Sequence, residues 1–259
     1  MHEHAPLKAA ELPWTEVERL AEEGAVALLP IGSTEAHGPH LPLNVDVIIA
    51  EAVCASAARE LASRNIRTLI FPPVSYGLTD FAAAFSGTVS VAAEATCAYL
   101  AGVLGGIAAH GFRAVAAVNH HVEPAHFKVV HEAVKRAAAA HPSVKLLAPD
   151  HRRPPFVAEL GAEFTGGGSH AGLYETSLML AAAPHLVRED VRASLPSLEI
   201  DLPGAIKAGA KDFAGAGGPD AYFGAPAAAT REEGERLLAR LGAFVADALT
   251  APSGGLPPR

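Results

Sequence analysis

The chain has 259 residues but only two cysteines and one tryptophan, with 6% aromatic and 19% charged residues. Cys54 and Cys97 are too few for a disulfide framework. Both fall in alanine-rich stretches that read as helices, so they are expected as buried free thiols, in keeping with a reducing cytoplasm. Cations are also few: 20 Lys and Arg against 28 Asp and Glu leave a net charge of -8. The one basic cluster, Arg152-Arg153, is short and runs into prolines. Nucleic acid and anionic membranes are therefore not expected partners. The longest apolar stretch, Ala95 to Ala109, is too short to span a bilayer and is closed by Glu94 and His110. The first residues, MHEHAPLKAAELPW, hold no apolar signal core, which predicts a cytoplasmic protein. Phosphate-loop and nucleophile-elbow patterns are missing. Gly166-x-Gly168-x-x-Ala171 formally fits a dinucleotide fingerprint, but no strand is predicted before it, and a glycine-rich turn presenting His170 explains it better.

Hydrophobic residues make up 50% of the chain, enough for a sizeable core. Short, continuously apolar runs occur at Ala25–Ile31, Arg67–Phe71, Ala114–Val118 and Val144–Ala148. Such runs predict strands buried on both faces. Helices are predicted between and after them, at about 15–23, 45–64, 91–110, 125–140, 173–183 and 230–249. The alternation predicts an α/β domain over residues 1–250, with a mostly parallel sheet between helices. Asn44 or Asp46 is expected to cap the second helix, and Thr230 the last, which opens T-R-E-E. Residues 201–225, rich in Gly, Ala and Pro, read as a long loop over the site or a neighbouring subunit. The tail, 251–259, is expected to be disordered.

Thirteen histidines are many for this length, and their grouping carries the information. Glu35 and His37 follow the first long strand, and Asp46 stands where the next helix begins. His121 and Glu123 follow the strand at 114–118 with the same two-residue spacing. In extended backbone, side chains two apart point the same way. Open parallel sheets gather ligands at the carboxyl ends of their strands, so the two groups can converge. Imidazole with carboxylate is ligand chemistry for Zn or Mn, and five donors suit two ions sharing a carboxylate better than one. His40 and His120 are rival ligands, ranked behind these as supporting or substrate-facing. Any one of these residues taken alone reads more readily as a loop or capping residue than as a ligand.

The seventeen residues P-I-G-S-T-E-A-H-G-P-H-L-P-L-N-V-D, Pro30 to Asp46, resemble the N-terminal signature of the creatininase family. Asn119-His120-His121-Val122-Glu123 is similar to its second motif, with His120 where glycine is usual. His170-Ala171-Gly172-Leu173-Tyr174-Glu175-Thr176-Ser177 looks like its H-A-G-x-x-E-T-S. Phe85–Ser90 resembles a further family segment, and Ala229–Gly234 gives a weaker echo. The resemblance runs from about Leu28 to Pro184. It implies a three-layer α/β/α sandwich and a metal-dependent amidohydrolase with two divalent ions, Zn or Mn. Glu35, Asp46 and His121 would hold one ion and His37, Asp46 and Glu123 the other. His170 would transfer the proton, and Glu175 would orient His170 or touch substrate. A small-molecule substrate and a homo-oligomer, commonly a hexamer, are implied as well. The leading substrate is a creatinine-like cyclic amide. Creatinine-hydrolysing members use tryptophans around the substrate, however, and here the sole tryptophan is Trp14, far upstream of the motifs. A formamide, lactam or modified peptide remains an alternative, as does a metal-binding scaffold without turnover.

Overall fold

The computed structural model describes residues 6–166 and 170–251. Five parallel strands form one sheet in the order β1-β3-β2-β4-β5: β1 Leu7–Lys8, β2 Val26–Ile31, β3 Thr68–Ile70, β4 Ala114–Asn119 and β5 Lys145–Leu147. The helices are α1 Trp14–Glu22, α2 Val45–Ser63, α3 Ala93–Ala108, α4 Pro124–Ala140, α5 Ala162–Gly166, α6 Leu173–Ala182, α7 Glu189–Arg192, α8 Leu202–Lys207 and α9 Arg231–Thr250. All four predicted strands and six predicted helices appear, in the expected layered arrangement. The two-residue edge strand β1 and the short helices α5, α7 and α8 were not anticipated.

β2 and β4 are buried along their whole length, which is why both read as unbroken apolar runs. Their side chains alternate between two cores. Val26, Leu28, Ala114, Ala116 and Val118 face the layer of α2, α6 and α9. Ala27, Leu29, Ile31, Val115 and Ala117 face the layer that holds α3 and α4. The small alanines let the helices lie close to the sheet. Cys54 and Cys97 are buried free thiols, one in each core.

β2 and β4 pair in register from Val26↔Ala114 to Ile31↔Asn119, so both chains leave the sheet side by side. The segment after β2 then runs to α2 on one face, whereas the segment after β4 runs to α4 on the other. Adjacent strands whose connections part to opposite faces open a crevice between them, where α/β sheets bind ligands.

Two expectations need correction. The stretch 201–225 is not wholly a loop, because α8 forms within it. Asp201 caps that helix by accepting from the Gly204 N–H at 2.8 Å, and Pro203 stands in its first turn. Neither expected residue caps α2: Asn44 stands at the cap position without a capping bond, and the Asp46 side chain is engaged elsewhere. Thr230 does cap α9, accepting from Glu233 N–H at 3.2 Å. The expected disorder of the tail falls outside the described residues from 252 onward, and so does Gly168 of the glycine-rich turn.

α9 crosses α6 at Gly234. A Cβ there would lie 1.9 Å from the Ser177 carbonyl oxygen. Gly→Ala inside a helix ordinarily stabilises by roughly 1 kcal/mol. Gly234→Ala is expected to reverse that sign and lower the urea midpoint, because the helices must separate.

Candidate metal centre

A tight fit at the end of β2 builds the centre. A Cβ on Gly32 would sit 2.5 Å from Val47 N and 2.7 Å from the Asp46 carbonyl carbon, so only glycine lets the strand end close on the first turn of α2. That contact brings Asp46 under the loop carrying Glu35 and His37. From β4, His121 reaches the same point. His37 Nε2 lies 3.2 Å from one Asp46 oxygen, and His121 Nδ1 lies 3.0 Å from the other. Glu35 Oε1 is 3.2 Å from His121 Nδ1 and 3.8 Å from His37 Nε2. All four residues are buried.

The outward nitrogens are held by carbonyls, which fixes the inward ones. His121 Nε2–H donates to Leu78 O at 2.9 Å, leaving Nδ1 facing the acids. His37 Nδ1–H donates to Glu35 O at 3.1 Å, leaving Nε2 facing Asp46. His170 Nε2–H donates to Ala36 O at 2.9 Å and turns Nδ1 toward Glu35, 3.8 Å away. The His170 ring packs between His37 and Phe213, at centroid distances of 4.5 and 4.2 Å. Ala171 adopts φ +51°, an uncommon conformation for a non-glycine residue, and its N–H donates to Glu175 at 2.6 Å. Glu175 thus secures the turn that presents His170.

Three donor sets each lie within 4.8 Å: Glu35, Asp46 and His121; His37, Asp46 and Glu175; Glu35, His37 and His170. Asp46 is common to the first two. Glu123 stands outside these sets and accepts from the Phe81 N–H at 3.4 Å. The structure therefore brings six of the seven anticipated residues together and places Glu175, rather than Glu123, beside His37 and Asp46. His40 is a supporting residue, donating to the Thr176 hydroxyl at 3.0 Å. His120 is not part of the donor sets, and its ring stacks with those of His151 and Tyr174. Arg152 and Arg153 both pair with Asp150.

Burial disfavours charge throughout, yet mutual attraction overrides it for the central groups. Burial opposes the His37 charge, but Asp46, Glu175 and Glu35 raise its pKa to about 10. His121 is likewise desolvated but driven well above its ordinary value by Glu35 and Asp46. Asp46, despite burial, is held below the usual carboxylate range by His37 and His121. Burial lifts Glu123 to about 7, and burial with the nearby Asp46 charge lifts Glu175 to about 8. Burial and the adjacent His37 lower His170 to about 4.

Among the described residues, His37 Nε2, both Asp46 carboxylate oxygens and Glu175 Oε1 are buried without an aligned hydrogen bond. The close approaches of imidazole to Asp46 are ion-pair distances rather than bonds. Leaving such groups unmatched in a dry interior costs several kcal/mol, of order 1–3 each or more for charges. Divalent cations would satisfy the His37 and Asp46 atoms at once, so this donor set fits metal ions.

Thr79 had no sequence signal, whereas Phe213 and the 221–224 segment lie in the stretch 201–225 expected over the site. Thr79, fully buried, donates its hydroxyl to Glu35. Phe213 walls the His170 side. The 221–224 segment bonds the site loops through Gly38 N–H to Ala221 O at 2.7 Å and Phe223 N–H to His170 O at 2.8 Å.

A family model described as "Creatininase: Creatinine amidohydrolase" matches residues 10–249. The chain belongs to the creatininase family. Members are metal-dependent hydrolases, and this one is a creatininase-family amidohydrolase. A mycofactocin precursor peptide peptidase from Mycobacterium ulcerans (strain Agy99) is 32% identical, covering 93% of this chain and 90% of that protein. A creatinine amidohydrolase from Pseudomonas putida is also 32% identical, over 70% of this chain and 73% of its own. Among solved structures, a mutant creatininase of "Zn-Zn type" superposes with TM-score 0.72 at 26% identity, covering 95% of this chain and 98% of that one. "Creatininase Mn" gives TM-score 0.71 at 25% identity, covering 94% and 97%. No described helix is long and apolar enough to cross a membrane.

In the metal-free protein, the His37 contribution to stability is complete below about pH 6.5 and lost as pH rises toward about 10, because its folded pKa is raised. Stability by urea unfolding is expected to fall across that window. Asp46→Asn removes the chief carboxylate partner and is expected to flatten the slope.

Proposed function

We propose that the protein hydrolyses an amide C–N bond with two divalent cations bound between β2 and β4. Glu35, Asp46 and His121 would hold one ion, and His37 and Asp46 the other, with Glu123 as the carboxylate that the family resemblance implies; Glu175, although beside His37 and Asp46, is committed to the Ala171 N–H. The observation that carries this reading is the set of buried, unmatched donor atoms on His37 and Asp46. When bound, the ions supply Lewis acidity that polarises the carbonyl and makes water a nucleophile near neutral pH. The protein supplies orientation and proton movement. His170, pinned through Nε2 to the Ala36 carbonyl, keeps Nδ1 free to take a proton from the attacking water and return it to the departing nitrogen. Glu175 fixes the strained turn at Ala171 and so the position of that imidazole. Phe213 covers the opposite ring face and excludes water.

For the substrate, we favour an amide within a modified peptide. The peptidase relative aligns over nearly all of both chains. Trp14 is 73% exposed on α1, away from the centre, so no tryptophan lines the site. A creatinine-like cyclic amide is the second reading, supported by the Pseudomonas putida relative and the creatininase folds. The Zn-Zn and Mn forms of those neighbours support Zn or Mn as the ions. The free thiols support a cytoplasmic setting, and the exposed Trp14, Tyr76 and Tyr99 support a homo-oligomer, with the hexamer common in the family as the leading assembly.

Metal-stripped protein is expected to lose essentially all hydrolysis of a panel holding modified-peptide amides, creatinine, formamides and lactams, and to regain it with Zn or Mn. Full activity after stripping contradicts the proposal. Two bound ions with no turnover on any panel member favour a scaffold. Glu123→Gln is expected to bind one ion instead of two by elemental analysis, whereas Glu175→Gln keeps both and loses on the order of 100-fold in kcat.

A further inference from the structure

His121 is braced from behind by Asn119, the first residue of the N-H-H-V-E motif, and by His126, which lies outside every motif. Asn119 ends β4, and its side chain grips the His121 backbone from both sides: Nδ2 donates to His121 O at 2.8 Å, and Oδ1 accepts from His121 N–H at 3.3 Å. His126, in the first turn of α4, reaches back and donates from Nε2 to the same Asn119 oxygen at 3.2 Å. Its ring also meets the His121 ring edge-on, with centroids 4.7 Å apart and planes at 65°. On its other side His126 lies against Gly77, where a Cβ would fall 2.4 Å from the ring carbon Cε1. Gly77 precedes Leu78, whose carbonyl accepts from His121 Nε2. His126 thus touches both supports of His121: the amide that holds its backbone and the segment that holds its ring. It is completely buried.

We propose that His126, acting through Asn119, is a positioning residue that aims His121 Nδ1 at the centre between β2 and β4. A buried imidazole in this place has a bland alternative, simple filling of space between α4 and the 77–78 segment. The two readings separate because the hydrogen bond and the ring packing can be removed independently. His126→Phe keeps an aromatic ring against His121 but cannot donate to Asn119. His126→Gln gives up the ring but keeps a donor of similar reach. The inference rests on the metal reading of this centre for its consequence, and on the structure alone for the brace itself.

Two measurements on the full chain test it. In metal-free protein, hydrogen exchange of the His121 amide reports the brace. Competition with a chromophoric chelator reports Zn affinity. His126→Phe is expected to speed His121 exchange at least tenfold and weaken Zn binding by about 10–100-fold, the usual effect of losing an outer partner of a ligating histidine. His126→Gln is expected to stay within about threefold of wild type on both, on the same scale. If His126→Phe does not fold, His126→Met removes the donor with an adaptable apolar filler and carries the same expectation. Wild-type exchange and affinity in the Phe variant would overturn the proposal, as would a Gln variant as impaired as Phe. If wild-type protein binds no Zn while His121 exchange still responds as described, the brace stands and the metal function falls.

Discussion

Asp46 is the constraint around which the structure is arranged. It is an ionised carboxylate with no access to water, set between two imidazoles and close to a second acid. Buried charges are tolerated only when matched, and breaking such a set by removing one member typically costs about 3–5 kcal/mol. Protonating His37 and His121 neutralises Asp46 and Glu35, but it leaves Asp46 without one well-aligned hydrogen bond. The protein alone therefore holds the centre in an incompletely satisfied state. Carbonyls turn the outward nitrogens of three histidines away and leave the inward ones free, which is an arrangement for binding rather than for stability.

The sheet makes this possible. β2 and β4 are neighbours in register, yet their following segments go to opposite faces. Donors separated by more than seventy positions in sequence therefore meet without any long excursion of the chain. Gly32 lets β2 end against the start of α2, and the Ala171 turn brings His170 in from a third element. The 198–224 region closes over that side through Phe213, Phe223 and Ala221. The centre is thus deep and largely dry, conditions under which fixed dipoles and charges act most strongly on a reacting amide.

The fold was legible in the sequence because β2 and β4 are buried on both faces and so appear as plain apolar runs. The candidate donors Glu35, His37, Asp46 and His121 were legible for a similar reason: they cluster in the segments that follow those strand ends. What was not legible depends on long-range contact. Thr79 meets Glu35 from 44 residues away, and nothing around Thr79 distinguishes it from other threonines. His126 reads as one more helical residue until Asn119 and Gly77 are placed beside it. Asp46 reads both as a ligand and as a cap for α2, because a carboxylate in a first helical turn is favoured there. The tertiary pairing with two histidines prevailed over that local preference. The Gly, Ala and Pro content of α8 masks it, although Asp201 followed by Pro203 is a helix-start signal.

The central claim is that Asp46 is shared between two cations gathered by the ends of two strands. A crystal of the protein grown or soaked with Mn, with data collected at the Mn absorption edge, tests it directly. The account predicts two anomalous peaks flanking the Asp46 carboxylate, one beside His121 and one beside His37. A single peak away from Asp46, or none at all in a crystal soaked to saturation, would contradict it.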